Sequence, residues 1–324
     1  MGQLKITCLA IAALLLLTSA RPSSAQSIGY AQALDRLGVS CGKDIEKFCK
    51  KANLGGGRVT QCLNQNRDSV SSGCKASITE LTVLLATRVQ ARAAVLRVCD
   101  VDIKRLCAGV QPGDGNLMEC FYKARRNMSP ACQKAVVDAG YEATIDASAA
   151  TSQVALSSTE LINSLQGVEQ AGPDLSAARL RQMAVQSLND PARSNRMNRP
   201  PLTDQLSKLA QLTIAIQFDF DSARIRPSSF RAVGLMADAL YHPYLQGYRF
   251  LIVGHTDAKG NREYNLKLSQ QRADAIRDAL INPFGISPSR IEAAGLGEEQ
   301  LLKPANPEAA ENRRVQLINI GPVR

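Results

Sequence analysis

Tryptophan is absent from this 324-residue chain, and phenylalanine and tyrosine number only seven each. A chain so poor in rings has little with which to stack nucleobases, which argues against nucleic acid as a partner. Histidine occurs twice, at His242 and His255, and neither G-x-S-x-G nor H-E-x-x-H is present. Hydrolases built on those patterns therefore lack their parts. No two cysteines stand in a C-x-x-C pair, which removes the usual frame of a zinc ribbon or a thioredoxin-type redox site. No series of roughly ten-residue alternating segments occurs, against a membrane β-barrel. The N-terminal apolar run, Ile6–Leu17, has twelve residues. As a helix it would reach about 18 Å, short of a hydrocarbon core of roughly 30 Å.

That run has another use. Met1–Lys5 carries one lysine, and Ser23 and Ala25 put small residues at −3 and −1 of a cleavage point. A secretory signal peptide at 1–25, cut after Ala25, is expected, with no transmembrane segment in the mature chain. Cys8 stands near the start of the apolar run, whereas a lipid-modified cysteine would follow it. Without residues 1–25 the formal charge falls from +10 to +8. Residues 26–140 hold 17 basic and 10 acidic side chains, against 15 and 13 in residues 203–324. A basic exported surface suits acidic neighbours such as wall polymer or lipid headgroups, or simply a solvated helical face.

Eight cysteines remain: Cys41, Cys49, Cys62 and Cys74, then Cys99, Cys107, Cys120 and Cys132. Both quartets are spaced 8, 13 and 12 apart, offset by 58 residues. "CGKDIEKFC" answers "CDVDIKRLC", so the segment is an internal duplication. In an exported chain such cysteines read as structural disulfides, with no metal. Each repeat reads as a helical hairpin turning at Gly55–Gly57 or at 112–115. Cys41 and Cys49 would lie about 12 Å apart on one helix, too far to bond. Sequence alone allows three connectivities per quartet, of which the nested one is favoured: Cys49–Cys62 inside Cys41–Cys74, and Cys107–Cys120 inside Cys99–Cys132. "ITELTVLLATRVQARAAVL" has the spacing of an amphipathic helix joining the repeats. Residues 38–135 resemble the cysteine-rich repeats first recognised in a Golgi membrane glycoprotein and found also in bacterial exported proteins. The resemblance implies a disulfide-bonded helical module and no chemistry.

Residues 141–202 lack cysteine. "SSTELINSLQGV" and "DLSAARLRQMAVQSL" have capping residues ahead of helical periodicity. "NDPARSNRMNRPPLTD" is polar, holds three prolines and reads as an extended, mobile spacer.

From residue 213 strands and helices alternate. "TIAIQFDF", "YRFLIVGHTD", "SRIEAAGLGE" and "NRRVQLINI" read as strands, "SSFRAVGLMADALYH" and "SQQRADAIRDALI" as helices. "FDFDSARI", "GHTDAKGNREYNLKLSQQRA", "GLGE" and "NRRV" resemble, in order and spacing, the OmpA-like C-terminal domain. That family occurs in outer-membrane porins, peptidoglycan-associated lipoproteins and flagellar stator proteins. The resemblance covers residues 213–320 and implies non-covalent binding of peptidoglycan diaminopimelate through Asp257 and Arg272. The chemistry is consistent: the ligand's free end carries an ammonium and a carboxylate on one carbon, which suit an acceptor-only and a donor-only group. A helix starting at Asn261 would carry Arg272 about 16 Å up its axis. Ser269 as N-cap, with 261–267 as a preceding turn, would instead set Arg272 beside Asp257 and aim free N–H groups at a carboxylate. Asn265 is a candidate to fix the loop or touch ligand, and Asp221, Arg313 and Arg314 are candidates for the same cleft. Phe218, Phe220 and Leu268 read as core, His255 as structural, and Gly295 and Gly297 as turn residues with φ > 0.

The expected fold is α+β overall, a disulfide-bonded all-α helical-hairpin module followed by an OmpA-like α/β sandwich with helices packed on one sheet. Its divisions are 1–25 signal peptide, 26–140 cysteine-rich module (repeats 41–74 and 99–132), 141–202 linker and 203–324 peptidoglycan-binding domain. The expected function is a periplasmic protein of a Gram-negative envelope, without cofactor, that binds diaminopimelate-type stem peptide at the wall, with the outer membrane as a second association. An assembly subunit whose residues 26–140 take an envelope protein is the alternative. A wall-modifying enzyme fits least.

Overall fold

The computed structural model describes residues 27–111, 115–141, 158–167, 169–172, 175–195 and 199–323. The expected signal peptide, the 112–114 turn and the 142–157 part of the linker lie outside them. The module opens with α1 (Tyr30–Phe48) and α2 (Arg58–Gln65), joined through Gly55, Gly56 and Gly57 at φ of 108°, 59° and 69°. These are left-handed angles that a side chain resists. The helix read between the repeats is α3 (Ser72–Val98), which serves both of them. It leads through Cys99 into α4 (Asp100–Leu106), then α5 (Asn116–Lys123) and α6 (Pro130–Asp138). The bridges are nested, Cys41–Cys74 around Cys49–Cys62 and Cys99–Cys132 around Cys107–Cys120. The duplication extends to a capping tie. Ser71 caps α3 and donates to Asp44 (2.7 Å), and 58 residues on Ser129 caps α6 and donates to Asp102 (2.6 Å).

Three short helices, α7 (Ser158–Leu165), α8 (Ala177–Leu188) and α9 (Gln205–Lys208), cross to the C-terminal half. There β1 (Gln211–Ile214), α10 (Phe230–Leu240), β2 (Tyr248–His255), α11 (Arg262–Ile281), β3 (Ile291–Gly297) and β4 (Val315–Pro322) build one sheet, ordered β1-β4-β2-β3. β2 and β3 run parallel; β4 is antiparallel to both β1 and β2. The strand read at 213–220 stops at Ile214. Beyond it the chain keeps only a bridge between Phe218 and Ile225, and Phe220 is 99% exposed rather than core.

Side chains alternate along β2. Phe250 and Ile252 join a core with α10 and α11, while Leu251 and Val253 face Leu175, Leu180 and Ala184 around α8. The connector packs here through Ala171, Leu175, Ala177, Leu180 and Ala184. It buries the second face of the sheet, so the helices of the domain proper lie on one face and the connector covers the other.

The module is not held at a distance. Tyr30, Leu34, Cys41, Ile45, Leu63 and Cys74 share a single core with Phe230, Met236, Phe250 and Ile276. α1 lies along α10, so close that a Cβ at Gly234 would stand 2.5 Å from the Ala31 Cα. Asp238 of α10 accepts from the Tyr30 and Ala31 amides (3.0 and 2.8 Å), capping α1 from across the interface, and pairs with buried Arg88 of α3 (2.8 Å).

Candidate functional site

Asp257 follows the last residues of β2, in a loop tied at several points. The His255 amide donates to the Arg314 carbonyl (3.0 Å), Thr256 to Gly297 (2.9 Å) and Ala258 to Pro307 (2.9 Å). Asn265 is buried and directs its amide nitrogen at the carbonyls of Asp257 (3.2 Å) and Lys259 (3.1 Å) and at Glu298 Oε2 (2.9 Å). These bonds tie the loop to α11 and to Glu298. The Asp257 side chain accepts from the Lys259 amide at Oδ1 (3.2 Å) and from Arg313 Nη1 at Oδ2 (2.5 Å).

Arg272 reaches the same place by another route than expected. Ser269 is not an N-cap. α11 runs unbroken from Arg262, capped by Asn261, whose Oδ1 accepts from the Tyr264 amide (2.9 Å). Arg272 is thus about 15 Å along the axis. The helix nevertheless brings it in, because its middle, not its start, crosses the end of β2. A Cβ at Gly254 would meet the Ser269 carbonyl at 2.4 Å, and one at Gly295 would meet Gln270 N at 2.1 Å. Gly295 thus serves close approach and not a positive φ, whereas Gly297 does have φ 52°. Fully buried Ser269 spends its hydroxyl on Leu266 O and Gly297 N. Ser269, Gln270 and Arg277 together satisfy backbone groups along the edge strand β3.

The Arg272 Nε donates to the Ser222 carbonyl (3.0 Å), and its guanidinium lies 4.9 Å from the Phe218 ring centre. Its Nη groups make no hydrogen bond to any described residue. Burial and then nearby Arg313 lower its pKa from the ordinary arginine value, while Asp257 and Asp221 oppose the shift. Asp257 and Arg272 therefore feel each other without touching, and Arg313 is the acid's direct partner. A cleft of about 310 Å³ opens here, lined by Phe218, Arg226, His255, Arg272, Arg313 and Arg314 among others. Four guanidiniums on one cleft favour an anionic group such as a carboxylate.

The remaining candidates separate. Arg313 and Arg314 both line the cleft, but Arg314 is buried and donates to the Gln300 carbonyl (3.1 Å), and burial lowers its pKa to about 10. Asp221 lies outside the lining residues, at φ 53°, accepting from the Tyr264 hydroxyl. His255 is buried, and burial followed by Arg314 holds its pKa well below the ordinary value, which keeps the imidazole neutral. Among the described residues no group of three His, Cys, Asp or Glu is arranged to hold a metal. None of their helices is long and apolar enough to cross a membrane. Sequence reasoning missed Ser222, Tyr264 and Glu298 as supports, because only folding brings the 219–224 loop and the end of β3 to α11.

Residues 217–314 match the family model described as OmpA family, and residues 35–71 and 72–129 match the one described as cysteine rich repeat. The chain carries both kinds of segment. Over 113 residues it is 33% identical to outer membrane porin F of Pseudomonas aeruginosa, covering 34% of this chain and 32% of the porin. Over 102 residues it is 37% identical to the peptidoglycan-associated lipoprotein of Pseudomonas putida, covering 31% of this chain and 59% of the lipoprotein. The solved peptidoglycan-associated lipoprotein of Burkholderia pseudomallei is 32% identical, with 41% of this chain and 98% of that chain covered and a TM-score of 0.28. The chain thus spans about a third of the porin and three fifths of the Pseudomonas lipoprotein.

Proposed function

We propose that this is an exported, peptidoglycan-associated protein of a Gram-negative envelope, located in the periplasm at the wall and the outer membrane. In this reading residues 203–324 grip a diaminopimelate stem-peptide terminus without covalent bonds, and the cysteine-rich residues 26–140 are held at the wall by it. The observation that supports the reading is the cleft lined by Arg272 and half-exposed Arg313, with Asp257 just outside the lining and ion-paired to Arg313. Arg272 takes the ligand carboxylate through its Nη groups, which make no hydrogen bond to any described residue. Asp257 takes the ammonium after Arg313 swings aside to become a second carboxylate donor. The exchange trades one charge-assisted pair for another, so binding is reversible and weakened by salt. No catalytic step is assigned.

Sedimentation with purified sacculi tests this. Wild type is expected to pellet with diaminopimelate-type sacculi and not with the lysine type, and Asp257→Ala and Arg272→Ala to stay in solution. Equal pelleting of all three proteins would sink the reading in favour of general charge attraction through the basic module.

A second reading, a partner protein on the module, is favoured by one observation. Thr82, Ala86, Val89, Ala93 and Leu96 form an exposed stripe on α3, with Val89 58% and Leu96 54% exposed. The spacing of four and three is that of a helix-pairing seam. Because the module shares its core with the domain, capture experiments need the full chain, comparing wild type with Val89→Glu. Identical capture by the two would count against it.

A further inference from the structure

Charged side chains from the connector converge on the end of β3. Buried Glu299 accepts from Arg262 Nε and Nη2 and from Ser187 Oγ, each at 2.6 Å. Arg193 of the connector donates to the Glu299 carbonyl (3.3 Å). Arg199, with a side chain only 3% exposed, joins the two glutamates. Its Nη1 donates to the Glu298 carbonyl (2.8 Å) and to Glu299 Oε1 (3.4 Å), its Nη2 lies 3.6 Å from Glu298 Oε1, and its Nε donates to the Arg193 carbonyl (2.9 Å).

Glu298 leads to the site. Its fully buried carboxylate takes the Asn265 amide (2.9 Å), and that same amide nitrogen holds the carbonyls of Asp257 and Lys259. An amide carries two protons, so three acceptors share them and the position of each bears on the others. Removing a cation that pairs with a buried carboxylate leaves a charge without compensation, which works against the geometry the pair holds.

We propose that Arg199 is a positioning residue for the wall-binding loop. It holds Glu298, Glu298 orients Asn265, and Asn265 fixes the backbone from which the Asp257 carboxylate projects. The proposal rests on Asp257 being the acid that binds ligand. It makes the connector a working part of the site, since a shift of the connector loosens the loop.

The test uses the full-length oxidised chain and a diaminopimelate-containing muropeptide, titrated by calorimetry. Arg199→Met is expected to raise Kd roughly tenfold, the order of a lost charge-assisted hydrogen bond, and to speed amide exchange at Thr256–Lys259. In a Glu298→Gln background, where the Glu298 charge is gone and Glu299 keeps its pair with Arg262, Arg199→Met is expected to have little further effect on Kd. That non-additivity would be missing if Arg199 acted through overall stability. Arg88→Met, which opens a buried ion pair with none of these residues, is the destabilised control: its Tm falls while its Kd stays within about twofold. Wild-type affinity in Arg199→Met, with Asp257→Ala unable to bind, overturns this proposal alone, as does an equal loss in Arg88→Met. No binding by the wild type overturns the wall-binding reading and this proposal with it.

Discussion

His242 sits where the second repeat meets the C-terminal sheet. Its Nδ1 accepts from the Tyr244 amide (3.3 Å), and its ring meets Tyr122 edge-on at 4.7 Å. Burial, helped by Arg125, pulls its pKa down to about 4 from the ordinary 6.5. The folded protein thus binds fewer protons here than the unfolded chain between those two values, and stability must fall as pH is lowered from 6.5 toward 4. Glu299 acts lower on the scale. Burial would raise its pKa, but hydrogen bonds from Arg262 and Ser187 outweigh that and hold it below the usual glutamate value. Its contribution is lost only as pH drops through that depressed value. Melting followed across pH should show the His242 step first, shared with His255, whose pKa burial also depresses, and His242→Gln should reduce the slope between 6.5 and 4 without abolishing it. An unchanged slope in the variant would assign that step to another group.

At the scale of elements, the crossing of α11 over β2 and β3 decides whether the site exists. Adding a methyl at Gly295 places it against Gln270 backbone, which cannot yield as a side-chain tip can. Gly295→Ala is expected to cost about 3 kcal/mol in urea unfolding. Gly73→Ala, in the first turn of α3 with open space around it, should gain roughly 0.5 kcal/mol. Gly295 stood in the sequence, and so did Arg272, but their relation did not. Periodicity shows where a helix runs, whereas the turn that passes a given strand depends on which small residues face each other across two elements. The start of α11 was misread for that reason: proximity of Arg272 to Asp257 was assigned to a helix end when a mid-helix crossing supplies it. The nested disulfides were favoured by the sequence but not fixed by it, since helix spacing excludes a Cys41–Cys49 bridge and does not separate nested from crossed pairing. Phe220 was not legible, since a phenylalanine fully in solvent runs against what its chemistry leads one to expect.

For the molecule as a whole, one hydrophobic core runs from the first cysteine repeat through α10 to the sheet, with the connector sealing the opposite face. Calorimetry should therefore show the first repeat and the C-terminal sheet melting in a single transition, with calorimetric and van't Hoff enthalpies in agreement. Reducing the bridges should lower that shared midpoint, at about 2–4 kcal/mol for each bridge lost. Two separate peaks, only one responsive to reductant, would contradict the joint core. The cap that Asp238 places on α1 has a mechanical corollary. Were the C-terminal cleft to grip the sacculus as proposed, the oxidised half would ride like a bracket on a post, at one standoff and one heading, and would present its face at a set angle to the glycan layer.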